Sequence, residues 1–304
     1  MGAHPQAQIH KEVAMYQQRI NHHARTAIVI AIDGSVSMQN WTMLHHTRMR
    51  KSEAAALIAN FIIDELIVRA CRGSEIRNYY DVAVIGYSGN GVESLLPSDE
   101  NNFSAIDHLY EHLPQPKCYH INQEVDDGTL ISMPITLHQW IKPSTCGTTP
   151  MYEALAHIKW MLSNWCMHRD NRDSFPPLLI NITDGGFNDA NEHEVIDIAK
   201  EIQQISTRDG NVLVFNIHLA TEGEGDSVCE QFPTEQCFNT SDPECLALFN
   251  MSSTLPDVME DIVAQMYSLT EAGRYRCFAR NSTICEVINL IDLGTEGPHS
   301  LRNQ

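Results

Sequence analysis

The chain has 304 residues, 43% of them hydrophobic, and a formal net charge of −19 from 39 acidic and 20 basic residues. A chain of this size hides roughly three quarters of its unfolded surface, so a sizeable core is within reach, and the composition is that of a folded protein. The acidic balance opposes nonspecific binding to nucleic acid or to an anionic membrane, both of which need clustered Lys and Arg.

The N-terminal "MGAHPQAQIHKEVAMYQQRINHHARTA" holds no apolar stretch of the signal-peptide kind. Gln6 stands where a myristoylation motif has Ser or Thr. No run approaches the length of a transmembrane helix. The nine cysteines (71, 118, 146, 166, 229, 237, 245, 277 and 285) are odd in number and form no C-x-x-C pair. Free thiols and a cytoplasmic setting are therefore expected.

In chain order, Ile9, Val13, Tyr16 and Ile20 are spaced 4, 3 and 4 apart, which predicts a short amphipathic helix in an extension over 1–25. Residues 26–32 are continuously apolar and rich in β-branched side chains, as in a strand covered on both faces. A long helix is predicted over 47–71. "YYDVAVIGYSG" (79–89) reads as a second strand, closed by the turn "SGNG", with "GVESLLP" returning beside it as an edge strand. "YHINQEV" and "TLISMPITLHQW" flank the turn signal "DDG", which predicts an inserted β-hairpin over 119–140.

"PMYEALAHIKWMLSNWCMH" (150–168) is helical, with Pro150 suited to the first turn. "PPLLINITDGG" is a buried strand ending on an aspartate, a helix follows over about 192–207, and "NVLVFNIHLA" is the next strand. "RCFARNSTICEVINLIDLGT" reads as a last strand, then a short helix capped by Asn281 or Ser282. Strand and helix patterns alternate throughout. They predict one α/β domain over 26–295 and a tail over 296–304. The domain is a Rossmann-like, doubly wound, mostly parallel sheet with helices on both faces and the hairpin inserted. Residues 209–273 carry twelve acidic side chains and no Lys or Arg. A solvated acidic surface is the expectation, and a docking face for a basic partner the alternative.

Three polar sites fall at the ends of buried elements: Asp33-Gly34-Ser35-Val36-Ser37, Gly147-Thr148-Thr149-Pro150, and Thr183-Asp184-Gly185. In a doubly wound sheet, strand ends converge at the switch point where ligands bind. Two carboxylates and three hydroxyls gathered there are hard oxygen donors, and the carboxylates repel unless a cation lies between them. Mg²⁺ or Mn²⁺ suits that set.

"DGSVSM", "GTTPMYEAL" and "ITDGG" resemble, in order and spacing, the three loops of the von Willebrand factor type A (vWA) domain. "DSFPPLLINITDGGFND", the inserted hairpin and "LIDLGT" look like a bacterial intracellular subgroup, so the resemblance covers about 26–295. It implies a metal-ion-dependent adhesion site of Asp33, Ser35, Ser37, Thr149 and Asp184, completed by an Asp or Glu of a partner protein. Thr149 stands six before Leu155, as in the family's T-x-x-x-x-A-L pattern; Thr148 is the alternative ligand. The departure is Val36, where the family usually has Gly, and a β-branched residue restricts that loop.

The implied function is a non-enzymatic, metal-dependent protein-binding module in a bacterial regulatory, stress or defence system. A Mg²⁺-dependent phosphohydrolase is the alternative. Against it, Ser35 stands where a D-x-D pair has its second aspartate. No lysine follows in a suitable loop, and "GTTP" is not a phosphate-cradling loop. Met38, Trp41, Tyr152 and Phe187 lie near the metal loops, with Trp41 and Phe187 expected to be exposed. Cys229, Cys237 and Cys245 are too far apart for the usual zinc spacing, and the fifteen histidines read mostly as surface residues.

Overall fold

A computed structural model describes residues 15–44, 46–98, 102–125, 128–223, 230–266 and 273–281. The central strand β1 (Thr26–Asp33) is buried along its whole length. Its side chains alternate between the two sides of the sheet, as the two-residue period of a strand requires. Ile28, Ile30 and Ile32 enter one core, and Ala27, Val29 and Ala31 the other.

β1 is followed by a small antiparallel hairpin, β2 (Trp41–Leu44) and β3 (Thr47–Arg50), then α1 (Lys51–Ala70). The helix thus starts four residues later than its composition suggests. The guanidinium carbons of Arg48 and Arg50 lie 4.1 and 3.9 Å from the Trp41 ring centroid, so two charges that read as helical in sequence brace a hairpin instead. Trp41 is consequently half-buried between arginines, and Met38 lies in the core. α1 buries Ala55, Ile58, Ile62 and Leu66 against the Ile28 side of the sheet, each fully buried Ile contributing roughly 1.5–3 kcal/mol.

β4 (Tyr80–Ser88) pairs parallel with β1, and β5 (Gly91–Ser94) returns antiparallel as the edge. β6 (Pro116–Glu124) and β7 (Leu130–His138) form the expected hairpin, displaced toward the N-terminus by two or three residues. Asp64 of α1 holds its far end, accepting from the His138 N–H at 2.8 Å and from Trp140 Nε1 at 2.9 Å.

α2 (Met151–Met167), β8 (Leu178–Thr183), α3 (Glu192–Ile202) and β9 (Leu213–His218) follow, with α3 five residues shorter than expected. α4 (Pro243–Met251), α5 (Asp257–Met266) and β10 (Phe278–Arg280) complete the described chain. The predicted terminal helix lies outside the described residues. α1 and α5 pack on one face of the sheet, and α2, α3 and α4 on the other.

The parallel strands run in the order β10-β9-β8-β1-β4. Chain order reverses between β8 and β1, so the switch point lies at the C-terminal ends of these two neighbours. The architecture is the predicted doubly wound α/β sheet. The N-terminal helix does not extend over Met15–Ile20. Tyr16 sits at φ 58° there, and the Asp209 carboxylate accepts from the N–H groups of Gln17 and Gln18. The described acidic side chains of 209–273 are partly neutralised by arginines just beyond the interval: Arg274 pairs with Asp257 and Glu260, and Arg276 with Glu235.

Candidate metal centre

Asp33 ends β1 and is almost fully buried. Its Oδ1 accepts the Ser35 N–H at 2.8 Å, and its Oδ2 accepts the Thr183 hydroxyl at 2.7 Å. Thr183 ends the neighbouring strand β8, and its Oγ1 accepts the Gly185 N–H at 2.9 Å, which shapes the turn that carries Asp184. One carboxylate thereby fixes both loops at the switch point. Burial, above all, raises the Asp33 carboxyl to about 6; the Thr183 hydrogen bond works against the rise and the Asp184 charge adds to it.

Ser35 and Ser37 place their hydroxyl oxygens 2.9 Å apart. The serine loop joins the threonine loop through the Val36 N–H, which donates to Gly147 O at 3.1 Å. Val36 opens a short 3₁₀ turn (Val36–Gln39) and leaves half its surface exposed. Its φ is not among the positive ones, so the missing glycine leaves no strain. Thr149 is buried just before α2 and Thr148 is exposed. The Thr149 N–H donates to Asn188 Oδ1 at 2.6 Å, which ties this loop to the one after β8. Tyr152 is exposed at the start of α2 and Phe187 is half-buried, the reverse of the expected order.

Asp184 is buried, with its Oδ2 3.0 Å from Lys51 Nζ. Its other oxygen, Oδ1, is buried without a hydrogen-bond partner. Lys51 is the first residue of α1 and 3% exposed. The sequence reading missed it because it lies fourteen positions beyond the serine loop and reads as an ordinary helix-start cation. A lysine therefore does reach the centre, carried by the helix after β1 rather than by a dedicated loop.

Ser37, Lys51 and Asp184 line an open cleft of about 780 Å³, whose far side is made by His218, Asp242 and Arg280. His218 is another correction to the sequence reading, since it is buried at the end of β9 with Nε2 3.0 Å from Asp184 O. Burial drives its imidazole down to about 4, despite the opposing charge of Asp242. It is therefore neutral near pH 7.

Two buried carboxylates, two converging hydroxyls and one unpartnered carboxylate oxygen make an all-oxygen donor set. That set fits a hard divalent cation. Lys51 offsets one of the two negative charges, so the protein presents a formal −1 to such an ion.

No family model and no curated protein matches the chain. Among solved structures, the chain is similar to the manganese-loaded TRAP protein of Plasmodium vivax at 14% identity and a TM-score of 0.44, covering 93% of this chain and 78% of that one. It is also similar to a von Willebrand factor type A protein from Catenulispora acidiphila at 13% identity and a TM-score of 0.38, covering 64% of this chain and 33% of that one. The SpRpn10 VWA domain matches at 12% identity and a TM-score of 0.38, over 66% of this chain and 77% of that one. The sheet order and the crevice at its switch point define the class by themselves: an open, doubly wound α/β domain with a buried polar centre.

Proposed function

We propose that the chain is a vWA-type protein of the bacterial intracellular subgroup. It acts in the cytoplasm as a non-enzymatic, metal-dependent protein-binding module. The observation that carries this reading is the unpartnered Oδ1 of Asp184 in a buried centre that also holds Asp33, Ser35 and Ser37. Asp33, Ser35, Ser37, Thr149 and Asp184 would hold Mg²⁺ or Mn²⁺, which would supply a local positive charge for an Asp or Glu of a partner protein. Exposed Val36 and Tyr152 flank the centre and offer apolar contact to that partner.

Asp33 itself is spoken for in a way that suits ligation more than chemistry. Each of its oxygens accepts one hydrogen bond and the group is about 1% exposed, so the carboxylate is held in place and shielded from an incoming phosphoryl group, with lone pairs left for a metal. Lys51 supplies the cation that a phosphohydrolase uses, which is the one observation favouring that alternative. The missing second aspartate at Ser35 weighs against it.

The test is capture of partners from a bacterial lysate with and without EDTA, repeated with Ser37→Ala and Thr149→Ala. Binding that needs the divalent ion and both hydroxyls supports the module. Mg²⁺-dependent phosphatase turnover that disappears in Asp33→Asn would overturn it.

A further inference from the structure

On the far side of the cleft, His218, Asp242 and Cys245 bring an imidazole nitrogen, a carboxylate oxygen and a thiol together, all within 4.8 Å of one another. His218 and Cys245 are buried, and Asp242 is partly exposed toward the cleft. Three different donor types converging from a strand end and a helix start are not explained by the oxygen-lined centre beside them. We propose that these three residues form a second metal site, for a zinc-class ion, distinct in ligand chemistry from the Mg²⁺ centre.

Hydrogen bonds hold two members of the cluster in place. Asp184 O is a carbonyl and only accepts, so His218 Nε2, 3.0 Å away, carries the ring proton. Nδ1 is left with its lone pair, buried and without a hydrogen-bond partner. A ligating histidine characteristically donates its other ring N–H to a backbone carbonyl in this way. Asp242 is also oriented. As the N-cap of α4, its Oδ1 accepts from the N–H groups of Glu244 at 3.0 Å and Cys245 at 3.2 Å. Its Oδ2 lies 3.8 Å from Nε2, the nitrogen that carries the His218 ring proton.

A mixed nitrogen, oxygen and sulfur set selects zinc over magnesium, because a hard cation has little affinity for a thiolate. Binding forms the metal–sulfur bond and releases the Cys245 thiol proton to water. The Asp242 carboxylate and the Cys245 thiolate then balance the ion's two charges, which lets it sit near Arg280 and Lys51 without adding net positive charge. Three protein ligands leave a fourth position, for water or a partner's donor, facing the cleft.

The exposed cluster of His108, Glu111 and His112 holds nitrogen and oxygen donors only, so a sulfur signature separates the two. The experiment is titration of the reduced 304-residue protein with Co²⁺ as a spectroscopic stand-in for Zn²⁺. The site predicts a thiolate-to-cobalt charge-transfer band that saturates and is displaced by Zn²⁺. The band disappears in Cys245→Ser and persists when the exposed Cys118 and Cys237 are both changed to Ser. It also persists in Ser37→Ala, which touches only the oxygen-lined centre. Asp242→Asn keeps a competent helix cap and weakens Co²⁺ binding at least tenfold. No charge-transfer band in the parent protein, or a band unchanged in Cys245→Ser, overturns the proposal, as does parent-like affinity in Asp242→Asn.

Discussion

Lys51 Nζ stands 3.0 Å from Asp184 Oδ2, and both side chains are more than nine-tenths buried. The ammonium is a tethered cation placed on a carboxylate that the proposed centre shares with a divalent ion. Breaking a buried pair from one side leaves an uncompensated charge and costs about 3–5 kcal/mol. Lys51→Met is therefore expected to lower the unfolding midpoint sharply in EDTA. Saturating Mg²⁺ should recover most of the loss, because the competing positive charge is gone and the ion binds at least tenfold more tightly. Thermal melts in EDTA and in Mg²⁺, with calorimetric titration, check both halves.

Asp33 sets a pH dependence of definite sign. Its folded-state value, about 6, lies above the ordinary 3.8 of an aspartate in the unfolded chain. In metal-free protein the unfolded state therefore ionises first as pH rises. The folded state loses relative stability between about pH 4 and 6, by up to about 3 kcal/mol. Asp33→Asn cannot ionise. Its stability relative to the parent is expected to be near level at pH 4 and to grow toward pH 7 in EDTA. Urea unfolding across that range checks the slope, and a difference that shrinks with rising pH would contradict it.

Much of the fold was legible in the sequence because buried parallel strands advertise themselves. "AIVIAI" is an unbroken apolar run, "PPLLINI" and "NVLVFNI" are apolar apart from their asparagines, and each became a sheet strand. The aspartates that close the first two, Asp33 and Asp184, were legible for the same reason, since a charge closing such a run is conspicuous. The residues missed were those whose role depends on distant packing. Arg48 and Arg50 stack on Trp41 across a turn, Lys51 meets Asp184 from 133 positions away, and His218 is buried with its ring 3.8 Å from the Asp242 carboxylate. Neither periodicity nor spacing carries such contacts. The predicted helix does not reach Tyr16 and Ile20, where the Asp209 carboxylate pins an irregular segment instead, and its start at Ile9 and Val13 lies outside the described residues.

A buried polar chain behind the centre gives a third prediction. The Tyr87 hydroxyl donates to Asn181 Oδ1 at 2.8 Å, Asn181 Nδ2 to Asn216 Oδ1 at 3.0 Å, and Asn216 Nδ2 to Ser252 Oγ at 3.0 Å. The register places Asn181 and Asn216 side by side on β8 and β9. Asn216→Leu strands the Asn181 amide, at about 1–3 kcal/mol for each buried group left unpaired. Chemical denaturation should show that loss with an unchanged slope, and the variant's Mg²⁺ affinity should stay within about threefold of the parent's.

Val36→Gly tests whether the residue that departs from the resemblance matters to the centre. The side chain is half exposed and the position has no positive φ to relieve. Gly is expected to cost about 0.5–1 kcal/mol through the greater freedom of the unfolded chain. Mg²⁺ affinity should be unchanged, and partner capture weaker through lost apolar contact. A tenfold rise in Mg²⁺ affinity would mean that Val36 restrains the ligand loop.

The most direct measurement is calorimetric titration of Mg²⁺ into EDTA-stripped, dialysed protein, for the parent and for Ser37→Ala, whose partly exposed hydroxyl can be removed with little damage to the core. A single saturable site in the parent, weakened at least tenfold in Ser37→Ala, is the predicted result. No binding by the parent, or identical isotherms for the two proteins, would contradict the metal centre.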